Sequence, residues 1–129
     1  MPLDNAVQTY YNKILQACTL NTIRRKVTSY VADGALSTSG AVAKLTKGSA
    51  GAYTLAAPTA AQEGQELVIV AGTAFAHVIT ASNLLDDGVT GGAKDTATFA
   101  AFVGASITLI ACDLKWIVVS KNLVTIAAV

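Results

Sequence analysis

Residues 96–120, TATFAAFVGASITLIACDLKWIVVS, are almost free of charge, dense in β-branched side chains and punctuated by Gly104 and Asp113. Branching at Cβ crowds the preceding turn of a helix but packs well on a pleated strand. The stretch therefore reads as two buried strands meeting at a tight turn. Any fold open to this chain has to cover them.

The chain as a whole has little polar surface to do the covering. Its 129 residues suffice for one domain with a real core and are too few for two. Hydrophobic residues make up 53% of it and charged residues 13%, against about 25% charged in an ordinary soluble domain. A domain of this size cannot bury so large an apolar share within itself. A subunit interface is the expected sink, so the composition predicts a homo-oligomer. A membrane is the competing sink, but a spanning helix needs about 20 mostly apolar residues in a row. The runs 107–112 and 116–119 are far shorter and are interrupted by Asp113 and Lys115. The opening MPLDNAVQTYY lacks the basic and apolar regions of a signal peptide. The expectation is a soluble chain made in the cytoplasm, with no membrane partner. Cys18 and Cys112, a single distant pair, read as reduced thiols, Cys112 as a small core residue. The net charge of +1 argues against nucleic acid as a partner. Charge is nonetheless uneven. Through residue 30, Lys13, Arg24, Arg25 and Lys26 stand against Asp4 alone.

Residues 4–19 carry a helical stripe: Val7, Tyr10, Tyr11, Ile14, Leu15 and Cys18 recur at i, i+3, i+4, i+7, i+8 and i+11. Asp4 is the expected N-cap, and Asn21 and Thr22 the expected end. So short a helix is marginal alone. Either its own domain or another protein can supply the apolar partner. From Val27 the period becomes two. Strands are expected at 27–32, 41–45, 52–56, 66–71, 77–81, 96–101, 106–112 and 114–120, with a last piece at 123–127. Residues 66–71 and 106–112 are apolar on both faces and should be covered on both sides, the second cover being most simply a neighbouring subunit. The Ala/Ser/Gly/Thr-rich segment 34–51 reads as an exposed arm or edge hairpin. The fold class expected is mainly β: a compact antiparallel β-sandwich or barrel-like domain over 41–129, with an N-terminal amphipathic helix and extended arm over 1–40.

No group of residues announces chemistry. His77 is the only histidine, and a lone histidine makes neither a metal site nor a nucleophile–base pair. It reads as a hydrogen-bonded residue in or near the core. Asp86, Asp87 and Asp95 bracket a glycine-rich loop that suits turns, its spacing unlike a calcium loop. Glu63 and Glu66 lack the opposed partner a glycosidase needs. The run Gly91-Gly92-Ala93-Lys94 lacks the spacing of a phosphate loop. Arg24, Arg25 and Lys26 suit a solvated helix end or an acidic protein surface. Trp116, flanked by Ile117, Val118 and Val119, reads as a core or interface anchor. The expectation is a non-enzymatic protein with no cofactor.

Two blocks carry a resemblance. The first is Leu55-Ala56-Ala57-Pro58, then 62–67 (QEGQEL) and 76–80 (AHVIT). The second is Thr98-Phe99, then 104–109 (GASITL) and Lys115-Trp116. Together, over roughly residues 41–121, they resemble the small β domains of tailed-bacteriophage virion proteins, above all trimeric head-decoration (cement) proteins and head fibres. The resemblance implies a homotrimer on the outside of a capsid, bridging subunits of the major capsid protein. On that reading Tyr10, Tyr11, Ile14, Leu15, Arg24, Arg25 and Lys26 are the capsid-binding residues, and Phe75, His77, Phe99, Phe102 and Trp116 belong to the trimer interface or core. The alternative is a receptor- or glycan-binding fibre or tail-spike domain that reads its ligand with Trp116 or residues 82–95.

Overall fold

The computed structural model describes residues 5–19, of which 14–19 as backbone, and residues 24–129. Helix α1 spans Asn5–Thr19, matching the expected stripe. Its expected N-cap Asp4 and its expected end at Asn21 and Thr22 lie outside the described residues. Ten strands follow: β1 Val27–Tyr30, β2 Gly34–Ala35, β3 Val42–Leu45, β4 Ala52–Thr54, β5 Glu66–Ala71, β6 Val78–Asp86, β7 Lys94–Phe99, β8 Ser106–Cys112, β9 Lys115–Asn122 and β10 Val124–Ala127. They form one open sheet in the order β1-β3-β5-β8-β9-β6-β4-β2, with β7 between β6 and β10. The chain is mainly β, one short helix beside a ten-strand mixed sheet that does not close.

The mixed sheet corrects the antiparallel expectation, and chain path explains it. The first six strands are placed alternately in two halves of the sheet. β1, β3 and β5 lie side by side in one, β2, β4 and β6 in the other. Each strand is thus followed by a crossing to the far half before the chain returns, so neighbours within a half run parallel. Only β5–β8, β8–β9, β6–β7 and β7–β10 are antiparallel. Alternation along a strand says which side chains face inward; it is silent on partner and direction.

Two residues make the corners. β6 pairs β4 through Val78–Thr80 and β9 through Leu85 and Asp86. Asn83, at φ 57, bends it between the two. Leu123, also at φ 57, separates β9 from β10, which leaves β9's neighbourhood to pair with β7. Asparagine tolerates this left-handed conformation; leucine rarely adopts it.

One core lies inside the curl. β5 contributes Leu67, Ile69 and Ala71, β8 contributes Ile107, Leu109 and Ala111, and the other half answers with Tyr53, Ile79, Leu85 and Phe99. Within the single chain, Val68, Val70 and Ile110, on the opposite face of β5 and β8, are half-buried. The segment 34–51, expected to be an exposed arm or edge hairpin, carries two strands of the sheet that pair with others and not with each other. β2 and β3 lie within it, and Leu36, Ala43 and Leu45 are buried in the core, so the boundary drawn near residue 40 falls between paired strands. Cys112 is likewise outside the core. Ala111 takes the inward position and leaves Cys112 half-buried on the outer face.

The β8–β9 turn is the one expected. Cys112 pairs with Lys115, and the central residues Asp113 and Leu114 have φ 53 and φ 60, both positive as a two-residue type I′ hairpin requires. Leucine is a poor occupant and is 53% exposed. Leu114→Gly should therefore raise the stability of the fold by about 1 kcal/mol, read as a higher urea midpoint with an unchanged slope. A lower midpoint would show that Leu114 makes a contact that outweighs its strain.

Candidate functional site

The five residues expected at the trimer interface or core separate into two groups. His77, Phe99 and Trp116 are fully buried. Trp116 lies between Ala111 of β8 and Leu85 of β6, and its indole N–H donates to the Ala56 carbonyl at 2.9 Å. Phe75 and Phe102 face solvent, 38% and 61% exposed. They sit on two loops at one end of the sheet, beside a third. The loop after β5 carries Phe75, the loop between β7 and β8 carries Phe102 and Val103, and the corner before β10 carries Leu123. Backbone bonds hold the three together: Gly104 N–H to Ala71 C=O at 2.9 Å, Ala71 N–H to Ala105 C=O at 2.8 Å, and Ala100 N–H to Leu123 C=O at 2.8 Å. Val103 and Leu123 are more than half exposed. The result is a braced apolar tip.

His77 lies just behind it. Its Nδ1 accepts the Gly51 backbone N–H at 3.0 Å. That leaves Nε2 to carry the proton, and it donates to Thr73 Oγ1 at 2.9 Å. The Thr73 hydroxyl in turn donates to the Lys47 carbonyl at 2.8 Å. The imidazole thus joins the loop after β3 to the loop after β5. The rings of Tyr53 and Phe75 stand edge-on to it. Gly51 has to be glycine, because a Cβ there would meet the Tyr53 ring at 2.5–2.7 Å. The nearby ammonium of Lys47 donates to Asp33 Oδ1 at 2.8 Å, and the Ala52 N–H reaches the same oxygen at 2.9 Å. These two bonds, the lysine's first, hold the Asp33 carboxyl below its usual range. Burial, with Lys47 adding to it, pushes the proton affinity of His77 down. Burial raises that of Tyr53.

Among the residues expected to bind capsid, Tyr10 and Tyr11 are exposed, as is Val7 on the same stripe. The side chains of Ile14 and Leu15 lie outside the described residues. Arg24 and Lys26 are exposed. Arg25 instead pairs with Glu66 at the start of β5, so it fastens the segment after the helix to the sheet.

The acidic residues serve the backbone. Asp86 and Asp87 accept the N–H groups of Gly88 and Val89 at 3.0 and 3.1 Å, the self-capped turn expected of them. Asp95 accepts from Val129 N–H at 2.8 Å and Asn83 N–H at 2.7 Å. Those two bonds lower its pKa and pin the β6 bend to the end of the chain. Both Glu63 oxygens accept the Asp113 N–H, at 3.2 and 3.0 Å, bracing the β8–β9 turn. Hydrogen bonding to Glu63 also raises the Cys112 thiol. Sequence reasoning did not find the structural work of Asp33, Gly51, Thr73 or Asp95; apart from the Thr73–His77 bond, their partners are distant along the chain. None of the protein-family models matches this chain, and none of the curated proteins matches it.

The histidine sets a pH dependence. Its pKa is lower in the fold than in the unfolded chain, where it is about 6.5. As pH falls past that value the unfolded state takes up the proton first, so stability is full above it and declines as pH drops toward the folded pKa. The urea midpoint should be lower at pH 5.5 than at pH 7.5, and His77→Gln should flatten that difference. Asp33 and Asp95, also depressed, lose their contribution only in a lower window, as pH falls below about 4. Equal midpoints at the two pH values would contradict the burial of His77 in its neutral form.

Proposed function

We propose that this chain is a structural virion protein that binds the outer surface of a phage capsid as a homotrimer and stabilises contacts between capsomers. Its partners are then the major capsid protein and its own copies, and its place, after synthesis in the host cytoplasm, is the capsid exterior. The two halves of the sheet, curled over one core, are on this reading the compact sandwich of a decoration domain.

The observation that carries the proposal is the exposed aromatic stripe of α1. Val7, Tyr10 and Tyr11 stand free of the sheet's core on a helix that leads into Arg24 and Lys26, exposed cations ahead of β1. Aromatic anchors beside basic residues suit a protein surface with acidic neighbours. Arg25, ion-paired with Glu66 and half-exposed, stays in the proposed contact set beside them. Binding free energy then stabilises whichever shell offers the site, and three linked copies raise avidity. The fibre alternative loses its best residue. Trp116 is fully buried, which leaves the loop between β6 and β7 as its reading surface.

Co-sedimentation with mature and immature shells of the cognate phage tests the proposal. Saturable binding to mature shells is expected, with Tyr10→Ser/Tyr11→Ser reducing affinity at least about ten-fold, the effect of losing one interface anchor, and leaving the melting temperature unchanged. Failure to bind either shell, or full occupancy by the double variant, would overturn it.

A further inference from the structure

We propose that His77 is an acid-operated latch: it holds the loop after β3 to the loop after β5 near neutral pH and releases them in acid, while the rest of the sheet stays folded. The inference rests on the fold alone and goes beyond the proposed function. Its basis is a chain of hydrogen bonds. The Gly51 N–H donates to Nδ1 at 3.0 Å, the Nε2–H donates to Thr73 Oγ1 at 2.9 Å, and the Thr73 hydroxyl donates to the Lys47 carbonyl at 2.8 Å. The imidazole uses both nitrogens in this chain, and a second proton has only the Nδ1 lone pair to occupy. An N–H formed there points at the Gly51 N–H. Two donors then face each other, and the bond between the loops becomes a repulsion.

The surroundings give the new charge no partner. Lys47 acts on the ring from the loop after β3, Lys44 of β3 lies against Gly72, and Tyr53 of β4 packs edge-to-face with the imidazole. Residues 72–76 carry no charge. The charged residues of β6 and β7, Asp86, Lys94 and Asp95, stand at the ends of those strands away from His77. Asp33, the carboxylate of this network, is already bonded to Lys47 and to the Ala52 N–H. The ring is shut off from solvent, so an imidazolium is relieved by opening the loops to water. Only the loops need to move. None of the buried apolar side chains of the core comes from residues 46–52 or 72–78, so their separation costs hydrogen bonds and leaves the core covered. Local openings of this kind lie below global unfolding in free energy. Phe75 travels with its loop, and the apolar tip changes shape on release. His77 is the only histidine, and histidine is the side chain whose ordinary pKa brings its charge change between pH 5 and 8.

The test is native-state hydrogen exchange on the full chain, read by NMR at pH 7.5 and 5.5 across a series of dilute urea concentrations. Each rate is divided by the intrinsic exchange rate at that pH. The closed form excludes the proton and the open form takes it up at a pKa of about 6.5, so the open population rises by up to about ten-fold across the interval. The Gly51 amide should lose protection by that factor, through an opening that does not depend on urea. Amides of β5 and β8 should exchange more slowly and accelerate with urea. His77→Gln should remove the pH dependence at Gly51. Equal Gly51 protection at the two pH values in the wild type would overturn the latch, whether or not the variant folds. So would Gly51 exchange that follows urea together with β5 and β8, because the loops would then open only when the whole domain unfolds.

Discussion

Trp116 stands where the two halves of the sheet join, and the fold is built around it. On one side its strand pairs with β8; on the other it reaches the end of β6, after the bend at Asn83. The indole N–H crosses the core to the Ala56 carbonyl, just past β4. One side chain thus touches both halves, and the N–H it buries finds a partner in the Ala56 carbonyl. Around it the inward rows of β5 and β8 meet those of β6 and β7. The far margins of the sheet do not pair, but they approach each other at one point. β1 and β2, consecutive in the chain, lie at opposite ends of the strand order, yet Tyr30 of β1 and Tyr53 beside β2 come ring to edge at 6.4 Å. His77 ties the loops beneath them.

This arrangement uses most of the large apolar side chains and leaves a defined remainder. Among the described residues, seven of the thirteen large apolar side chains left exposed lie at the loop tip or on the helix stripe. A chain with 53% hydrophobic residues therefore has two apolar surfaces with separate geometry. The loops of the tip are tied together by backbone hydrogen bonds, and exposed Lys121 stands two residues from Leu123. The stripe lies on helix α1, and it is the surface that the proposed function assigns to a larger body.

Much of the local structure was legible in the sequence. Nine of the strands were placed within a few residues, because β-branched alternation and turn residues mark them. The turn at Asp113 was evident from charge interrupting an apolar run. The pairing was not legible. Parallel neighbours arise from the chain crossing between halves, and no local pattern records which strand a distant one will meet. β2, at Gly34–Ala35, is too short to alternate at all. Nor can sequence separate Phe75 and Phe102 from Phe99, since all three sit among alanines; which of them turns inward depends on loops closed by bonds to residues far along the chain. Asp95 looked like a turn acid, and the work of Asp33 stayed hidden, for the same reason. Their partners, Lys47, Ala52, Asn83 and Val129, become neighbours only in the fold.

The central claim is that both halves of the sheet share one core with Trp116 at its centre, and this tryptophan, the only one in the chain, reports on it directly. Its fluorescence should be blue-shifted and shielded from acrylamide in the native protein. On urea titration it should shift in a single transition that coincides with the loss of far-UV circular dichroism. A tryptophan open to quencher in the native state, or one exposed well before the strands are lost, would contradict the shared core.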